Sequence, residues 1–240
     1  MRFFSLASRQ SLPAHPFLAR RLFAFGAVLA LAFLAAAPAT PRAAAQFPQR
    51  QTLKISGYDI TAELDTSTHH IAATTVVTFT APPDANEVTF GFHPALKVTS
   101  ITDESGKTLT GERLADGSIR VTPAAPFTQG QPAHWTFVYD GILNGSEDGP
   151  VEGLKLAAIQ EPITYLLYPA RWFPTVGFMT DRFTAQMHIS VPQGMRVFAS
   201  GSTGNSHPVT LSSGKPGDEY DFNWTRPGFP GTVIAGRYLG

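Results

Sequence analysis

The sequence contains no cysteine. That removes disulfide frameworks and thiolate chemistry, so a stable fold must rest on a buried core. It has no HExxH, HxxxH or HxH spacing, so no two histidines are pre-placed on one helix face for zinc. The nucleophile elbow GxSxG is missing, and so are the P-loop and dinucleotide fingerprints. A basic surplus is missing too: 18 Lys and Arg face 18 Asp and Glu. That balance gives no electrostatic footprint for nucleic acid, which is not expected as a partner. No capped amphipathic helix is legible beyond residue 45, and no apolar run after the first is long enough to span a bilayer.

What is present begins with a targeting pattern. Arg2, Arg9, Arg20 and Arg21 make a basic lead, Leu22 to Ala37 is an uncharged apolar run, and Ala43-Ala44-Ala45 precedes Gln46 as a small-residue cleavage site. This is the order of a secretory signal peptide over residues 1–45, expected as an N-terminal signal helix. Export to the periplasm or the extracellular space follows, with no stable membrane span once the signal is removed. Arg20-Arg21 leaves twin-arginine export open beside the general route. Removing the five arginines of 1–45 leaves thirteen basic against 18 acidic residues in 46–240.

Those 195 residues read as strands. Tyr58 to Asp65 alternates apolar and polar, the period of a half-buried strand, and the β-branched run Ile71 to Thr80 pairs with it across a turn at Thr66 to His69. Further strands are expected at Val88–Phe92, Leu96–Ile101, Leu109, Ser118–Thr122 and His134–Tyr139. After a Gly- and Asp-rich loop from Asp140 to Gly153 they resume at Arg182–Val191, Met195–Ser200, Val209–Ser212, Tyr220–Thr225 and Thr232–Tyr238. Many short strands at regular turn spacing predict an all-β domain over 46–240, a sandwich or saddle of mixed and antiparallel strands.

One stretch breaks the pattern. Ile163 to Pro174 packs two Tyr, a Trp, a Phe, an Arg and two Pro into twelve residues. Pro169 and Pro174 lack the N–H of a central strand, so the stretch reads as a structured crossing loop. Trp172 and Tyr168 there either fill the core or form an exposed platform for a peptide or glycan. The remaining candidates are diffuse. His69-His70 sits at a hairpin turn, and His93, His134, His188 and His207 are singletons, which leaves open only a metal site assembled from distant strands. Asp103-Glu104, Glu147-Asp148 and Asp218-Glu219 read as solvated turn pairs, and Gly201 to Gly204 as a Gly/Ser turn.

The order of these features resembles the N-terminal β-domain of the aminopeptidase N-like family of zinc metallopeptidases. The resemblance rests on Tyr58 to Asp65, Val77 to Thr80, Ile101 to Leu109, Pro126 to Gln131 with Phe137 to Gly141, Ala170 to Pro174, Phe183 to Gly201 and Ile234 to Tyr238. It implies a non-catalytic domain or fragment that forms one wall of a peptide cleft. A thermolysin-like domain in cis would carry the GAMEN and HExxH motifs and the zinc, leaving no cofactor in this chain. A Gln six residues before the motif's Arg helps hold the substrate's amino group in many members; here that position is Tyr165, and Gln160 and Glu161 are the nearby acceptors. The Asp-Glu-Pro that often follows is replaced by Thr175-Val176-Gly177. The alternative from another class is a stand-alone extracytoplasmic binding module, and a third is an independent zinc enzyme.

Overall fold

The computed structural model describes residues 53–146, 152–177 and 179–238. The signal segment, the expected signal helix and the pair Glu147-Asp148 lie outside these residues. The chain opens on a hairpin of β1 (Lys54–Asp65) and β2 (His70–Thr80), because alternation lets each strand bury one face. On β1, Tyr58, Ile60, Ala62 and Leu64 are buried while Asp59, Thr61 and Glu63 face outward. Then come β3 (Val88–Phe90), β4 (Leu96–Thr102), β5 (Thr110–Arg113), β6 (Ile119–Thr122) and β7 (Ala133–Ile142). The second half holds β8 (Ala157–Ala158), β9 (Ile163–Leu166) and a 3-10 turn at Tyr168–Ala170. It continues with β10 (Phe183–Pro192), β11 (Arg196–Ala199), β12 (Ser202–Thr210), β13 (Pro216–Gly228) and β14 (Val233–Gly236).

Three sheets result. A seven-stranded sheet has the order β12-β13-β10-β1-β2-β7-β4, a four-stranded sheet β11-β14-β9-β8, and a three-stranded sheet β3-β6-β5. All pairings are antiparallel except β1 with β10, which run parallel from Gly57 opposite Thr184 to Glu63 opposite Ser190. Aromatic contacts tie the sheets into one core. Phe79 of β2 meets Phe90 of β3 at 5.6 Å and Trp135 of β7 at 5.0 Å, both edge-on. Such pairs contribute about 0.5–1.5 kcal/mol each beyond their buried area. The expected all-β architecture of mixed and antiparallel strands is what forms, and among the described residues no helix is long and apolar enough to cross a membrane.

Two local expectations change. Ser202–Thr210 is a strand rather than a Gly/Ser turn followed by a short strand at Val209. Every residue of it but Val209 is exposed, so it carries no hydrophobic signal; it forms because β13 offers a free edge, and Pro208 is tolerated because β12 is itself an edge. The aromatic stretch is not loop throughout. Its first four residues are β9, hydrogen-bonded between β14 and β8, and Pro169 falls after the strand, inside the 3-10 turn, where its missing N–H costs nothing.

Candidate functional site

The aromatic stretch resolves into a buried anchor and an exposed face. Trp172 is 0% exposed, and Phe173 and Tyr168 are also buried. Trp172 Nε1 donates to the Gly231 carbonyl at 2.7 Å, and its ring stands edge-on to Phe173 at 4.9 Å. Phe173 continues to Tyr58 at 5.0 Å, and Tyr58 to Phe183 at 4.7 Å, so the loop is bolted to β1 and β10. Gly231, at φ +120°, admits no side chain, because a Cβ there would lie 2.6 Å from Phe173 Cε1. The exposed platform of Trp172 and Tyr168 is therefore corrected: both rings are core, and the loop needs them there to close over the junction of the sheets. Burial pushes the Tyr168 and Tyr58 hydroxyls above their ordinary value, as expected for phenols taken out of water.

Arg171 follows the 3-10 turn with φ 54°, and its carbonyl accepts from the His93 N–H at 2.8 Å. Its side chain lies against Gly91, where an added Cβ would sit 3.0 Å from Arg171 Cδ. Burial lowers the guanidinium's pKa and the Asp116 carboxylate raises it. Arg171 thus pins the loop to the segment after β3.

The three sequence candidates share the β8–β9 hairpin. Buried Thr164 holds its turn: the Thr164 hydroxyl accepts from the Gln160 N–H and donates to the Gln160 carbonyl, both at 3.0 Å. Glu161, before cis-Pro162, is exposed and pairs with Arg237 Nε at 3.3 Å, while Arg237 Nη1 donates to the Gln193 carbonyl. The Gln160 side-chain amide makes no hydrogen bond among the described residues. Tyr165 is half-buried on the outer face of the four-stranded sheet, opposite Ile234 and Ala158.

Register explains what surrounds Tyr165. Phe198 lies opposite Ile234 and Ile234 opposite Tyr165, so side chains from β11, β14 and β9 form one row. Phe198 is 57% exposed, and Ile163, Ile234 and Tyr238 are exposed with it, Phe198 and Tyr238 meeting edge-on at 5.4 Å. The inner residues Val197, Ala235 and Thr164 are buried. An apolar outer face of a sheet is what alternation normally forbids.

A second grouping was invisible as sequence. On the outer face of the seven-stranded sheet His188 of β10 lies opposite Asp221 of β13, and Ser190 opposite Glu219. His188 Nδ1 and Asp221 Oδ1 are 2.6 Å apart, Ser190 Oγ donates to Glu219 at 2.9 Å, and His207 Nε2 of β12 lies 3.3 Å from Glu219. Asp218-Glu219 is therefore not a turn pair but part of a strand. Only the shared parity of these residues along their strands hints at the grouping, and the hint is usable once the register is known. A groove of about 480 Å³ between β4 and the β5–β6 hairpin holds none of the sequence candidates.

No family model and no curated protein sequence matches the chain. Solved structures do. The M1 zinc metallopeptidase from Deinococcus radiodurans superposes with a TM-score of 0.64 at 16% identity, over 78% of this chain and 42% of that one. A mutant of the two-domain M1 zinc metallopeptidase bound to L-arginine gives 0.63 at 16%, over 77% and 42%. A mutant bound to a Tyr-Ser-Ala substrate, from Deinococcus radiodurans, gives 0.64 at 16%, over 78% and 43%. At this identity the likeness is one of fold, and it is the fold the sequence motifs implied. The chain spans less than half the length of these structures.

Proposed function

We propose that the chain is the non-catalytic N-terminal β-domain of an exported zinc metallopeptidase of the aminopeptidase N type, and that it forms one wall of the peptide cleft. The other wall is a thermolysin-like catalytic domain in cis. The observation that carries this reading is the exposed apolar row of Phe198, Ile234 and Ile163 around Tyr165, continuous with the Gln160–Glu161 turn. An apolar face of this kind marks a docking surface. The partial span of the M1 structures supports it, since a second domain accounts for the remainder of their length.

The zinc of such an enzyme supplies an activated water for attack on the peptide bond. This sequence has no HExxH to hold that ion, so no chemical step is assigned to its residues. Its contribution is placement. Gln160 is the acceptor free to hold a substrate ammonium group, because Glu161 is engaged by Arg237.

The test starts with the coding sequence after codon 240, which should encode HExxH. The whole protein is then assayed on aminoacyl 4-nitroanilides. Gln160→Ala should raise KM roughly ten- to a hundredfold, since a hydrogen bond to a charged group contributes about 1.5–3 kcal/mol. Phe198→Asp should loosen the two domains, read as separate unfolding transitions. A reading frame without a metallopeptidase domain overturns the proposal. So does a whole protein whose kinetics and domain association ignore both substitutions.

A further inference from the structure

The outer face of the seven-stranded sheet holds donors that the wall reading does not use. We propose that His188, Glu219 and Asp221 form a binding site for a divalent transition-metal ion of the zinc class, with His207 as the fourth donor.

Three observations carry this. The first is geometric. One imidazole nitrogen and one oxygen from each carboxylate lie within 4.8 Å of one another. Zinc binds nitrogen and carboxylate oxygen at about 2.0–2.2 Å, which places tetrahedral donors roughly 3.3 Å apart. Small side-chain rotations close the set, with the ion taking the place of the proton now shared by His188 Nδ1 and Asp221 Oδ1. The donors come from adjacent positions on β10, β13 and β12, so the backbone ladder fixes their spacing.

The second is charge. Glu219, Asp221 and nearby Asp59, whose Oδ1 is 3.9 Å from His188 Nε2, take only histidines as ion-pair partners among the described residues. None of these three carboxylates has a Lys or Arg ion-pair partner among the described residues, whereas Glu87 and Glu112 share Arg120 and Glu161 has Arg237. A divalent cation supplies what is lacking.

The third is donor type. Carboxylates alone suit calcium or magnesium, but imidazole nitrogen with carboxylate oxygen selects zinc and its neighbours. Ser190, bonded to Glu219 Oε2, orients that carboxylate in the way second-shell partners orient ligands.

The experiment is zinc titration of the untagged exported chain by calorimetry, with cobalt absorption as the coordination readout. One ion per chain should bind saturably, as for a single site of three or four protein donors. His188→Ala and Asp221→Asn should each weaken it at least tenfold, His207→Ala less, while His134→Ala, on a different strand pair, should leave it unchanged. Zinc should raise the unfolding midpoint of the wild type and not that of His188→Ala, which also shows that the variant folds. No saturable binding overturns the proposal, and so does binding that survives His188→Ala and Asp221→Asn. The result is independent of whether a catalytic domain is present, because it reads this chain alone.

Discussion

Replacing Trp172 by Ala separates an anchor from a binding surface. Trp172 is fully buried, stacks edge-on with Phe173, and donates to the Gly231 carbonyl at 2.7 Å. Truncating a buried Trp costs about 3–5 kcal/mol through lost transfer energy and the cavity left behind. The Gly231 carbonyl then loses its partner, which adds about 1–3 kcal/mol if water cannot reach it. The sum is a large part of the roughly 5–15 kcal/mol by which a domain is stable. Trp172→Phe keeps most of the ring and removes the donor, so it should lie between, at about 2–3 kcal/mol. Urea unfolding followed by far-ultraviolet circular dichroism gives both values without relying on the fluorophore that was removed. A loss below about 1 kcal/mol in Trp172→Ala would refute the packing argument. An unchanged stability joined to lost peptide or glycan affinity would restore the platform.

Two further outcomes follow from the same structure. Asp65, Asp103 and Asp116 each accept from a serine two residues on, and these hydrogen bonds hold their carboxyls below the ordinary 3.8. A depressed folded-state pKa gives stability that is present above 3.8 and lost as pH falls through the lower folded value. Unfolding midpoints should therefore hold steady from neutrality to mild acid and drop below that range, and Asp103→Asn with Asp116→Asn should flatten the drop; an acid limb unchanged by both substitutions contradicts this. Thr164→Val removes both hydroxyl bonds to Gln160 in a buried site, at about 1–3 kcal/mol. It should also raise amide exchange at Gln160, and unaltered exchange would show that the turn holds itself.

Much of this was readable in the chain. Tyr58 to Asp65 alternates strictly and His134 to Tyr139 does so but for the outward Val138, because each buries one face, and both are strands with those faces inward. β12 could not be read, since a polar edge strand is specified by the strand beside it and not by its own residues. β9 was hidden because the two prolines of the stretch colour the reading of residues that precede them. Among the site residues, Tyr165, Gln160 and Glu161 fell on one hairpin as their proximity in sequence suggests. His188, Glu219, Asp221 and His207 converge only through the register of three strands, which a single sequence does not display. The apolar row at Phe198 and Ile234 was equally unreadable, because opposite positions on β11 and β14 are far apart along the chain.

The parallel pairing of β1 with β10 sets an order of events for the chain's own maturation. The bond from Thr184 Oγ1 to the Ser56 carbonyl spans 128 residues, and the β1–β2 hairpin is complete long before its partner is synthesised. Until then the open side of β1 is an unpaired strand edge, the kind that recruits other chains. Closing so long a loop is entropically costly, and such topologies fold in milliseconds to seconds. Until residue 192 is available, the β1–β2 hairpin therefore carries an open edge that β10 later closes.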